Sequence, residues 1–475
     1  MKMNIGGIEE EVVTRSEFPL ERARAVLKDE TIAIMGYGSQ GPGQSLNLKD
    51  NGFKVVVGQR EGTASYQKAL EDGWEPGRNL FPIEEAARRG TIVANLLSDA
   101  GQALTWESLE KCLESGNASY FSHGFPIHFS AYTNIVPPSF VDVVMVAPKG
   151  AGPSVRSNFL DGSGINSSYA VERDHTKRAL DRTLAMGIGI GSGFLFGSTF
   201  RNEVVSDHVG ERAFLLGELW AIAEAAYETL RNRKHYPNEA FINSSEQITQ
   251  VILPLIGKGG VAEIYTRAQD AGELGTVLIY QDAVREATKP ILEELYRSVT
   301  EGKEAQIALV SNSDPRYREN LTDQLGRIEG SEMWMAGKEV RDKVPDRTYG
   351  FKITNWGLAG AIIGAMEAQY QLFIDKGHKP SEAFNETVEE ATQSLNPFYQ
   401  RRGMAHLLSV CSTTAQVGAL EWGPKFKRLL VPKFKDLDTS YGTGGIPSLD
   451  FSVTKPSMWE VGKVLRNLRP EYQKG

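Results

Sequence analysis

The chain has 475 residues, 41% of them hydrophobic and 24% charged, which suggests about three structural units of ordinary globular composition. Its net charge of −8 argues against nucleic acid or an anionic membrane as the main partner. Two distant cysteines, Cys112 and Cys411, do not suggest a disulfide framework, and neither an apolar leader nor a stretch of membrane-spanning length is evident. We therefore expect a cytoplasmic protein, although the mature form of an organellar protein would look the same.

Residues 31–147 alternate short apolar strands with helical stretches, a pattern typical of a doubly wound α/β domain with a parallel sheet. The predicted strands are TIAIMG, FKVVVG, TIVANLL, SYFSHG and VDVVMVAP. Beyond about residue 200 the strand signals fade, so we predict an all-helical second part. The helices predicted there are 207–231, 238–256, 277–300, 350–376 and 381–395. The glycine-rich stretch 191–198 is predicted to be a hinge, and 331–349 a linker within the helical part.

A glycine motif stands at the end of the first predicted strand, and a helix is predicted from about Pro42. The motif reads Gly36-Tyr37-Gly38-Ser39-Gln40-Gly41. In such a motif the first glycine allows a tight turn, the second lets the backbone approach a pyrophosphate, and the third permits close helix packing. A turn with a purely structural role could have the same sequence. Because the motif follows a strand and opens a helix, it predicts a dinucleotide site.

The end of the second predicted strand bears on which dinucleotide is bound. Arg60, with the hydroxyls of Thr63 and Ser65, offers a charge-assisted cradle for a 2′-phosphate, which favours NADPH. Glu61 would repel that phosphate if it pointed inward, and it could equally accept a hydrogen bond from a free ribose hydroxyl. The sequence therefore favours NADP(H) and leaves NAD(H) open.

The helical part contains an internal duplication at an offset of 143 residues, with no gap. Fourteen positions between 217 and 260 are identical to their counterparts between 360 and 403, where chance would give roughly three. This duplication predicts two helical repeats, one spanning about 200–342 and the other about 343–475.

Each repeat retains an acidic pair that the other repeat lacks. In this alignment Asp207 and Glu211 correspond to Gly350 and Thr354. Glu386 and Glu390 correspond to Asn243 and Gln247. Both pairs have the i, i+4 spacing that places side chains on one face of a helix. Four carboxylates brought together would repel, whereas two divalent cations would cancel their charge, and oxygen ligands favour Mg²⁺ or Mn²⁺. The alternative to a metal site is that both pairs lie on ordinary solvent-exposed helix faces.

Several motifs resemble the ketol-acid reductoisomerase family from about residue 30 to 420. They are GYGSQG, SHGF at 122–125, APKGAGPSVR at 147–156, GINSSYAV at 164–171, SDHVGER at 206–212, NETVEEATQSLNPF at 385–398 and CSTTAQVG at 411–418. The resemblance is to the long form, whose helical domain is duplicated and knotted, and SLNPF and CSTTA are similar to the plant-type enzymes. It implies an NADP-binding Rossmann-like domain at 1–199 and an all-helical metal and substrate domain at 200–475.

The same resemblance implies roles for individual residues. It makes Asp207 the carboxylate that bridges two Mg²⁺ ions, with Glu211, Glu386 and Glu390 completing the cluster. Ser412 resembles the hydroxyl that anchors the substrate carboxylate, although by pattern alone it would be a turn or cap serine. The remaining residues carried over are His123 and Lys149 near the reacting groups, Gln40 in the phosphate loop, and Ser98, Asp99 and Gln102 where the third strand meets the cofactor.

The implied reaction converts 2-acetolactate, or 2-aceto-2-hydroxybutyrate, to the 2,3-dihydroxy-3-methyl acid in branched-chain amino acid synthesis. Paired divalent ions suit the alkyl migration, Glu390 is the candidate proton relay, and the nicotinamide supplies the hydride. A homodimer or larger assembly is expected from the resemblance alone. Two alternatives remain: a metal-independent NADP-linked hydroxyacid dehydrogenase, and a dinucleotide-binding regulator without turnover. Neither explains the reciprocal loss of acids.

Overall fold

The computed structural model describes residues 1–442 and 457–472. Its strands are β1 (Lys2–Ile5), β2 (Ile8–Thr14), β3 (Ile32–Met35), β4 (Val55–Gly58), β5 (Leu80–Phe81), β6 (Ile92–Asn95), β7 (Ala118–Phe121), β8 (Asp142–Pro148), β9 (Ser167–Arg173) and β10 (Phe194–Gly197). Within the described residues they form one sheet in the order β1-β2-β10-β9-β8-β7-β6-β3-β4-β5. The strands from β3 to β8 are parallel, which confirms the doubly wound α/β prediction for this half of the sheet.

The other half of the sheet is mixed and is formed by strands outside residues 31–147, the range for which a parallel sheet was predicted. β1 and β2 form an antiparallel hairpin, because Gly6 and Gly7 both have positive φ and make a two-residue turn. The hairpin pairs with β10, which occupies the stretch predicted as a hinge. Phe194, Leu195 and Phe196 are fully buried in the sheet, and a hinge cannot be anchored in this way.

Helices cover the sheet in the first part of the chain. They are α1 (Leu20–Val26), α2 (Gln40–Asp50), α3 (Ala64–Glu71), α4 (Ile83–Arg89), α5 (Asp99–Glu110), α6 (Phe125–His128), α7 (Ser130–Thr133), α8 (Gly152–Leu160) and α9 (Ala179–Gly189). β8 and β9 are antiparallel, with Pro148 opposite Ser167. The intervening α8 therefore lies beyond the carboxyl end of β8, the edge at which doubly wound sheets bind ligands.

Beyond β10 the described chain is helical, as predicted. The helices are α10 (Phe200–Arg212), α11 (Gly217–Asn232), α12 (Pro237–Phe241), α13 (Leu253–Gly259), α14 (Val261–Asp270), α15 (Leu274–Thr300), α16 (Lys303–Ser313), α17 (Pro315–Glu329), α18 (Glu332–Lys343), α19 (Trp356–Asp375), α20 (Pro380–Phe384), α21 (Asn396–Arg402), α22 (Met404–Val410), α23 (Thr413–Leu430) and α24 (Ser457–Arg466). Two π-helices, Ile242–Ile252 and Asn385–Leu395, and 3₁₀ turns at Tyr349–Phe351, Val431–Lys433 and Pro470–Tyr472 complete the described secondary structure. None of the described helices is long and apolar enough to cross a membrane.

The duplication inferred from sequence is reproduced by the element boundaries. α12, the first π-helix and α13 run without interruption from Pro237 to Gly259, and α20, the second π-helix and α21 run from Pro380 to Arg402. Each boundary in the second run lies 143 residues after its counterpart in the first. Gly260 and Gly403, which end the two runs, have positive φ values of 74° and 95°.

The two repeats are intertwined rather than side by side. α15 of the first repeat packs along α19 of the second, and α23 of the second packs along α11 of the first. Between the runs, Gln400 donates to Gln250 at 2.6 Å, while a Cβ atom on Gly257 would lie 2.9 Å from the amide of Gln393. These four positions are two repeat pairs, so the contacts are related by an approximate twofold axis.

Two of the predicted helices and the predicted linker differ from the structure. The run 207–231 is broken between α10 and α11, because Ala213 has a non-helical ψ of −123°. The run 350–376 begins only at Trp356, since Gly350 is left-handed and Asn355 caps α19 by accepting from Leu358 N. The predicted linker 331–349 contains α18.

α18 and α24 are themselves a repeat pair, which we call the Met-Trp helices. They share the pattern Met-Trp-x-x-Gly-Lys-x-x-Arg, from Met333 and Met458, at an offset of 125 instead of 143. Their glycines pack on equivalent phenylalanines: a Cβ on Gly337 would lie 2.4 Å from the Phe241 ring, and one on Gly462 would lie 2.6 Å from the Phe384 ring. The segment 420–475, to which the sequence assigned no role, therefore contains the element that completes the second repeat.

Candidate active site

The glycine loop has the geometry that the motif predicts. Gly36 has φ +97°, and a Cβ there would lie 3.1 Å from the Leu96 carbonyl oxygen. A Cβ on Gly41 would lie 2.2 Å from the carbonyl oxygen of Gly36, so this glycine allows α2 to pack closely on β3. A Cβ on Gly38 would meet no atom within 4 Å. The space beside Gly38 is where a pyrophosphate would approach the backbone.

The other predicted cofactor residues lie around this loop at the carboxyl ends of β4 and β6. Arg60 is exposed and Ser65 is half-buried, whereas the Thr63 hydroxyl accepts from Tyr66 N at 3.2 Å and so caps α3. Gln59, which the sequence did not single out, joins the two loops by accepting from Tyr37 N at 3.0 Å and donating to Thr63 at 3.0 Å.

The residues after β6 also form hydrogen bonds with neighbouring elements. Ser98 caps α5 by accepting from Gly101 N at 3.3 Å, and Gln102 donates to the carbonyl of Leu97 at 3.0 Å. Asp99 accepts a hydrogen bond of 2.5 Å from Thr414, at the first turn of α23. This hydrogen bond connects the dinucleotide domain to the helix that presents Ser412.

Ser412 is the N-cap of α23, and its hydroxyl accepts from Ala415 N at 3.0 Å. Its side chain is exposed, while burial and the charges of Glu211 and Glu390 raise the pKa of the Cys411 thiol beside it. Ser412 therefore lies next to the acidic cluster, with its hydroxyl at a helix N-terminus that favours anions.

A stripe of three acids on α10, Glu203, Asp207 and Glu211, faces the centre of the molecule at i, i+4 intervals. Glu203 is fully buried and accepts hydrogen bonds from Lys149 at 2.8 Å and from Gly124 N at 2.6 Å. Sequence reasoning missed Glu203. Continuing the i, i+4 spacing one turn towards the helix start would have found it.

Lys149 joins the two repeats. Its ammonium contacts Glu203 at 2.8 Å and Glu386 at 2.5 Å, and all three side chains are almost fully buried. Ser206 also donates to Glu386, at 3.4 Å, and a Cβ on Gly210 would lie 3.2 Å from the Glu386 carbonyl oxygen. The glycine thus allows α10 to approach the second π-helix, and the acidic pairs of the two repeats meet in one cluster.

Glu386 and Glu390 are carried by a π-helix, where the sequence predicted an ordinary helix. Burial raises the pKa of Glu386 to about 8, although Lys149 opposes the shift. The pKa of Glu390 is raised well above its usual value by burial and by the charges of Glu386, Asp207 and Glu211. Oε2 of Glu386 and Oε2 of Glu390 are buried and accept no hydrogen bond.

The charges and hydrogen bonds around these oxygens indicate whether divalent cations fit the cluster. Burial and neighbouring acids raise the pKa of Asp207 and Glu211 as well. Five acids converge here, including Glu203, and the cations beside them are Lys149, protonated His123 and Arg212, which lies 3.9 Å from Glu211 but also contacts Glu304 at 2.7 Å. With Glu304 included, six carboxyl groups face three cations, so three carboxyl groups have no cation of their own. Unpartnered carboxylate oxygens in such a site fit hard divalent cations.

His123, which follows β7 in the dinucleotide domain, contacts the acidic cluster. Its Nδ1 is 3.0 Å from Glu203 and 3.7 Å from Asp207, and its Nε2 is 3.4 Å from Nε2 of His208. Burial would lower the pKa of His123, but the charges of Glu203 and Asp207 outweigh burial and raise it to about 10. Among the described residues, His123, Glu203 and Asp207 each offer a ligand atom within 4.8 Å of the others.

Gln40 connects this region to the phosphate loop by donating to the Gly150 carbonyl at 3.3 Å, one residue after Lys149. The structure thus brings the predicted cofactor loop, His123, Lys149, both acidic pairs and Ser412 to one cleft. A nicotinamide-dependent oxidoreductase, with a dinucleotide domain facing a helical domain that supplies buried acids, is the class that this arrangement defines.

The particular family follows from comparison with known proteins. Residues 26–194 match the family model described as acetohydroxy acid isomeroreductase, NADPH-binding domain. Residues 200–346 and 356–444 match the model for the ketol-acid reductoisomerase C-terminal domain. The chain belongs to the ketol-acid reductoisomerase family, and it is an enzyme of branched-chain amino acid biosynthesis that uses a nicotinamide cofactor. This membership supports neither the metal-independent dehydrogenase nor the regulator.

Individual relatives agree with this assignment. The chain is 51% identical over 344 residues to "Ketol-acid reductoisomerase (NAD(+))" of Desulfosudis oleivorans, covering 72% of this chain and 97% of the relative. It is 33% identical to the chloroplastic ketol-acid reductoisomerase of Spinacia oleracea, over 90% of this chain and 74% of the relative. The solved structure of an NADH-preferring ketol-acid reductoisomerase from an uncultured archean superposes with a TM-score of 0.64 at 29% identity, covering 71% of this chain and all of that chain.

Proposed function

We propose that the chain converts 2-acetolactate and 2-aceto-2-hydroxybutyrate to 2,3-dihydroxy-3-methyl acids, with NADPH as reductant and two Mg²⁺ ions as cofactors. One observation carries the proposal: acids from both repeats meet beside the dinucleotide loop, with Oε2 of Glu386 and Oε2 of Glu390 buried and without a hydrogen-bond partner. A dehydrogenase that transfers only hydride has no need for such a cluster, whereas an alkyl migration does.

Asp207, Glu211, Glu386 and Glu390 would hold the cations. When bound, divalent cations lower the pKa of a tertiary alcohol and polarise the neighbouring carbonyl. Lys149 and Glu203 hold Glu386 in place through the two short contacts described above. Glu390 would take the proton of the substrate hydroxyl, because burial and the neighbouring acids raise its pKa and so make it a stronger base than an ordinary carboxylate.

His123 and Ser412 complete the proposed site. His123, held by Glu203, would hold or deliver a proton at the oxygen of the carbonyl group whose carbon receives the hydride. The Ser412 hydroxyl and the N-terminus of α23 would bind the substrate carboxylate. Gly36, Gly38, Gln40 and Gly41 would bind the pyrophosphate, and Ser98, Asp99 and Gln102 would border the nicotinamide half of the cofactor.

The preference for NADPH rests mainly on Arg60. The Thr63 hydroxyl already caps α3, so Arg60 and Ser65 are the freer partners for a 2′-phosphate. The names of similar proteins include NAD(+) and NADH as well as an NADPH-binding domain, which makes the cofactor a matter for direct measurement.

We also propose a domain boundary at 199/200, since β10 ends at Gly197 and α10 begins at Phe200. The repeats would meet near 342/343, where α18 ends. A homo-oligomer, cytoplasmic or in a mature organellar form, with a small-molecule substrate and neither nucleic acid nor membrane as partner, is consistent with the net charge and the family.

The decisive experiment mixes the protein with NADPH and 2-acetolactate, with and without Mg²⁺, and measures the loss of NADPH absorbance. We expect oxidation of NADPH only when Mg²⁺ is present. Turnover in excess chelator would contradict the proposal and favour a metal-independent dehydrogenase, and nucleotide binding with no turnover in either condition would favour a regulator.

A further inference from the structure

The two π-helices are held by matching ion pairs. Glu246 and Glu389 occupy the same repeat position. Glu246 is paired with Arg341 of α18, and Glu389 is paired with Arg469, three residues after the end of α24. Arg341 donates from Nε to Glu246 at 3.1 Å, and Arg469 donates from Nε to Glu389 at 2.8 Å. Arg469 makes a second contact with the same carboxylate oxygen through Nη2.

Both ion pairs are buried. The exposed fractions of the side chains are 11% for Arg341, 0% for Glu246, 7% for Arg469 and 4% for Glu389. Buried pairs of this kind contribute little to net stability but define geometry, because a displaced carboxylate would be left unpaired in the interior. The pairs therefore fix how the first π-helix lies against α18 and how the second lies against the residues that follow α24.

Only one of the two π-helices carries the acidic pair. Glu389 directly precedes Glu390 and follows Glu386 by three residues, whereas the residues around Glu246 are the amides Asn243 and Gln247. The second π-helix is also held near its end, where Ser394 accepts from Ala151 N at 3.1 Å. Glu390 thus lies between the contact of Glu389 with Arg469 and the contact of Ser394 with Ala151, and Glu386 lies one turn before Glu390.

We propose that Arg469 is a positioning residue for the cation site: through Glu389 it sets the orientation of the π-helical turn that presents Glu386 and Glu390. This inference rests on the proposed function, which makes those two acids cation ligands. Outer contacts that orient ligands typically change metal affinity by about 10- to 100-fold when they are removed.

The sign of the effect separates positioning from simple charge. Removing the positive charge of Arg469 leaves Glu389 uncompensated and makes the neighbourhood more negative, so charge alone would tighten cation binding. Misplacement of Glu386 and Glu390 would weaken it. A loss of affinity in a variant without the arginine charge is therefore the signature of positioning.

The test measures Mg²⁺ binding to the full chain by isothermal titration calorimetry, without substrate, in wild type, Arg469→Gln and Arg341→Gln. Arg341→Gln is the matched control, because it removes the equivalent pair from the π-helix without the acids. We expect similar losses of thermal stability in both variants, about tenfold weaker Mg²⁺ binding in Arg469→Gln, and an unchanged dissociation constant in Arg341→Gln.

Equal dissociation constants in the two variants, or tighter binding in Arg469→Gln, would overturn the inference while leaving the proposed site intact. Failure of the wild type itself to bind Mg²⁺ would instead overturn the proposed site. If Arg469→Gln does not fold, Arg469→Lys keeps the charge but not the two-nitrogen contact, and the inference requires weaker Mg²⁺ binding in that variant as well.

Discussion

Thr354 donates a hydrogen bond from its hydroxyl to the side-chain oxygen of Asn243 at 2.8 Å. These two residues are the repeat counterparts of Glu211 and Glu386. The backbone N–H of Thr354 also donates to Gln247, the counterpart of Glu390, at 3.0 Å. The place where the twofold axis would generate a second acidic cluster is therefore closed by hydrogen bonds between neutral groups, and it needs no cation.

This asymmetry predicts how variants of the two repeats differ. Glu211→Gln and Glu386→Gln should each weaken Mg²⁺ binding by at least about tenfold and abolish the rearrangement, because a neutral amide is a poor substitute for a charged ligand. NADPH binding, measured by fluorescence, should be retained. As a control, Asn243→Ala should leave Mg²⁺ affinity unchanged while reducing stability by about 1 kcal/mol. Normal isomerisation in Glu211→Gln or Glu386→Gln would contradict the shared cluster.

The open space beside Gly38 makes a separate prediction for the dinucleotide loop. Gly38→Ala should fold normally, since the added methyl group meets no protein atom within 4 Å, yet it should weaken NADPH binding by about tenfold because the methyl group occupies the approach of the pyrophosphate. Gly41→Ala should instead lower the melting temperature, because its Cβ would lie 2.2 Å from the Gly36 carbonyl oxygen. Equal effects of both changes on stability would argue that Gly38 is only a structural turn.

Arg60 provides a test of cofactor preference. Arg60→Ala should raise KM for NADPH by about tenfold, the value of roughly one charge-assisted hydrogen bond, and change KM for NADH by less than about twofold. Steady-state kinetics with both cofactors measures this ratio. A parallel rise for NADPH and NADH would show that Arg60 does not contact a 2′-phosphate.

Glu218 predicts a pH dependence of stability outside the site. It is fully buried at the start of α11 without a hydrogen-bond partner for either oxygen, and burial raises its pKa from 4.5 to about 8. The folded state therefore holds a proton that the unfolded state releases between pH 4.5 and 8, so stability falls as pH rises through this window.

Replacing Glu218 by the neutral Gln should remove that contribution. The melting temperature of Glu218→Gln should match the wild type near pH 5 and exceed it by several degrees near pH 8.5. Differential scanning fluorimetry across this range measures the difference, and the exposed Glu319→Gln is the control that should show no trend. A constant difference at all pH values would mean that Glu218 does not titrate on unfolding.

Much of the first domain could be predicted from sequence because its strands are short apolar runs bounded by glycines. The amino-terminal hairpin was missed, although Gly6-Gly7 between two alternating stretches indicates a two-residue turn. The π-helices could not be predicted, because π- and α-helices present apolar residues at similar intervals. They differ in the pattern of backbone hydrogen bonds, which the amino-acid sequence does not reveal.

The acidic cluster was predicted because each repeat lacks the acids that the other retains. The same criterion explains why Glu203 was missed. Glu203 aligns with Asp346, so an acid stands in both repeats and no loss draws attention to it. The Met-Trp helices were missed because their offset of 125 differs from the 143 of the preceding segments. The intertwined packing of α15 with α19 depends on tertiary contacts that no local pattern encodes.

The Met-Trp helices also reach across the twofold axis. A Cβ on Gly403 would lie 3.2 Å from Arg341, and one on Gly260 would lie 2.3 Å from Arg466, so each arginine contacts the glycine of the opposite repeat. During translation the first repeat therefore emerges without the side chain that covers Gly260, and this side chain follows only after both π-helices have been made. The first repeat therefore cannot cover Gly260 until the second repeat has been made, so the two repeats are completed together rather than one after the other.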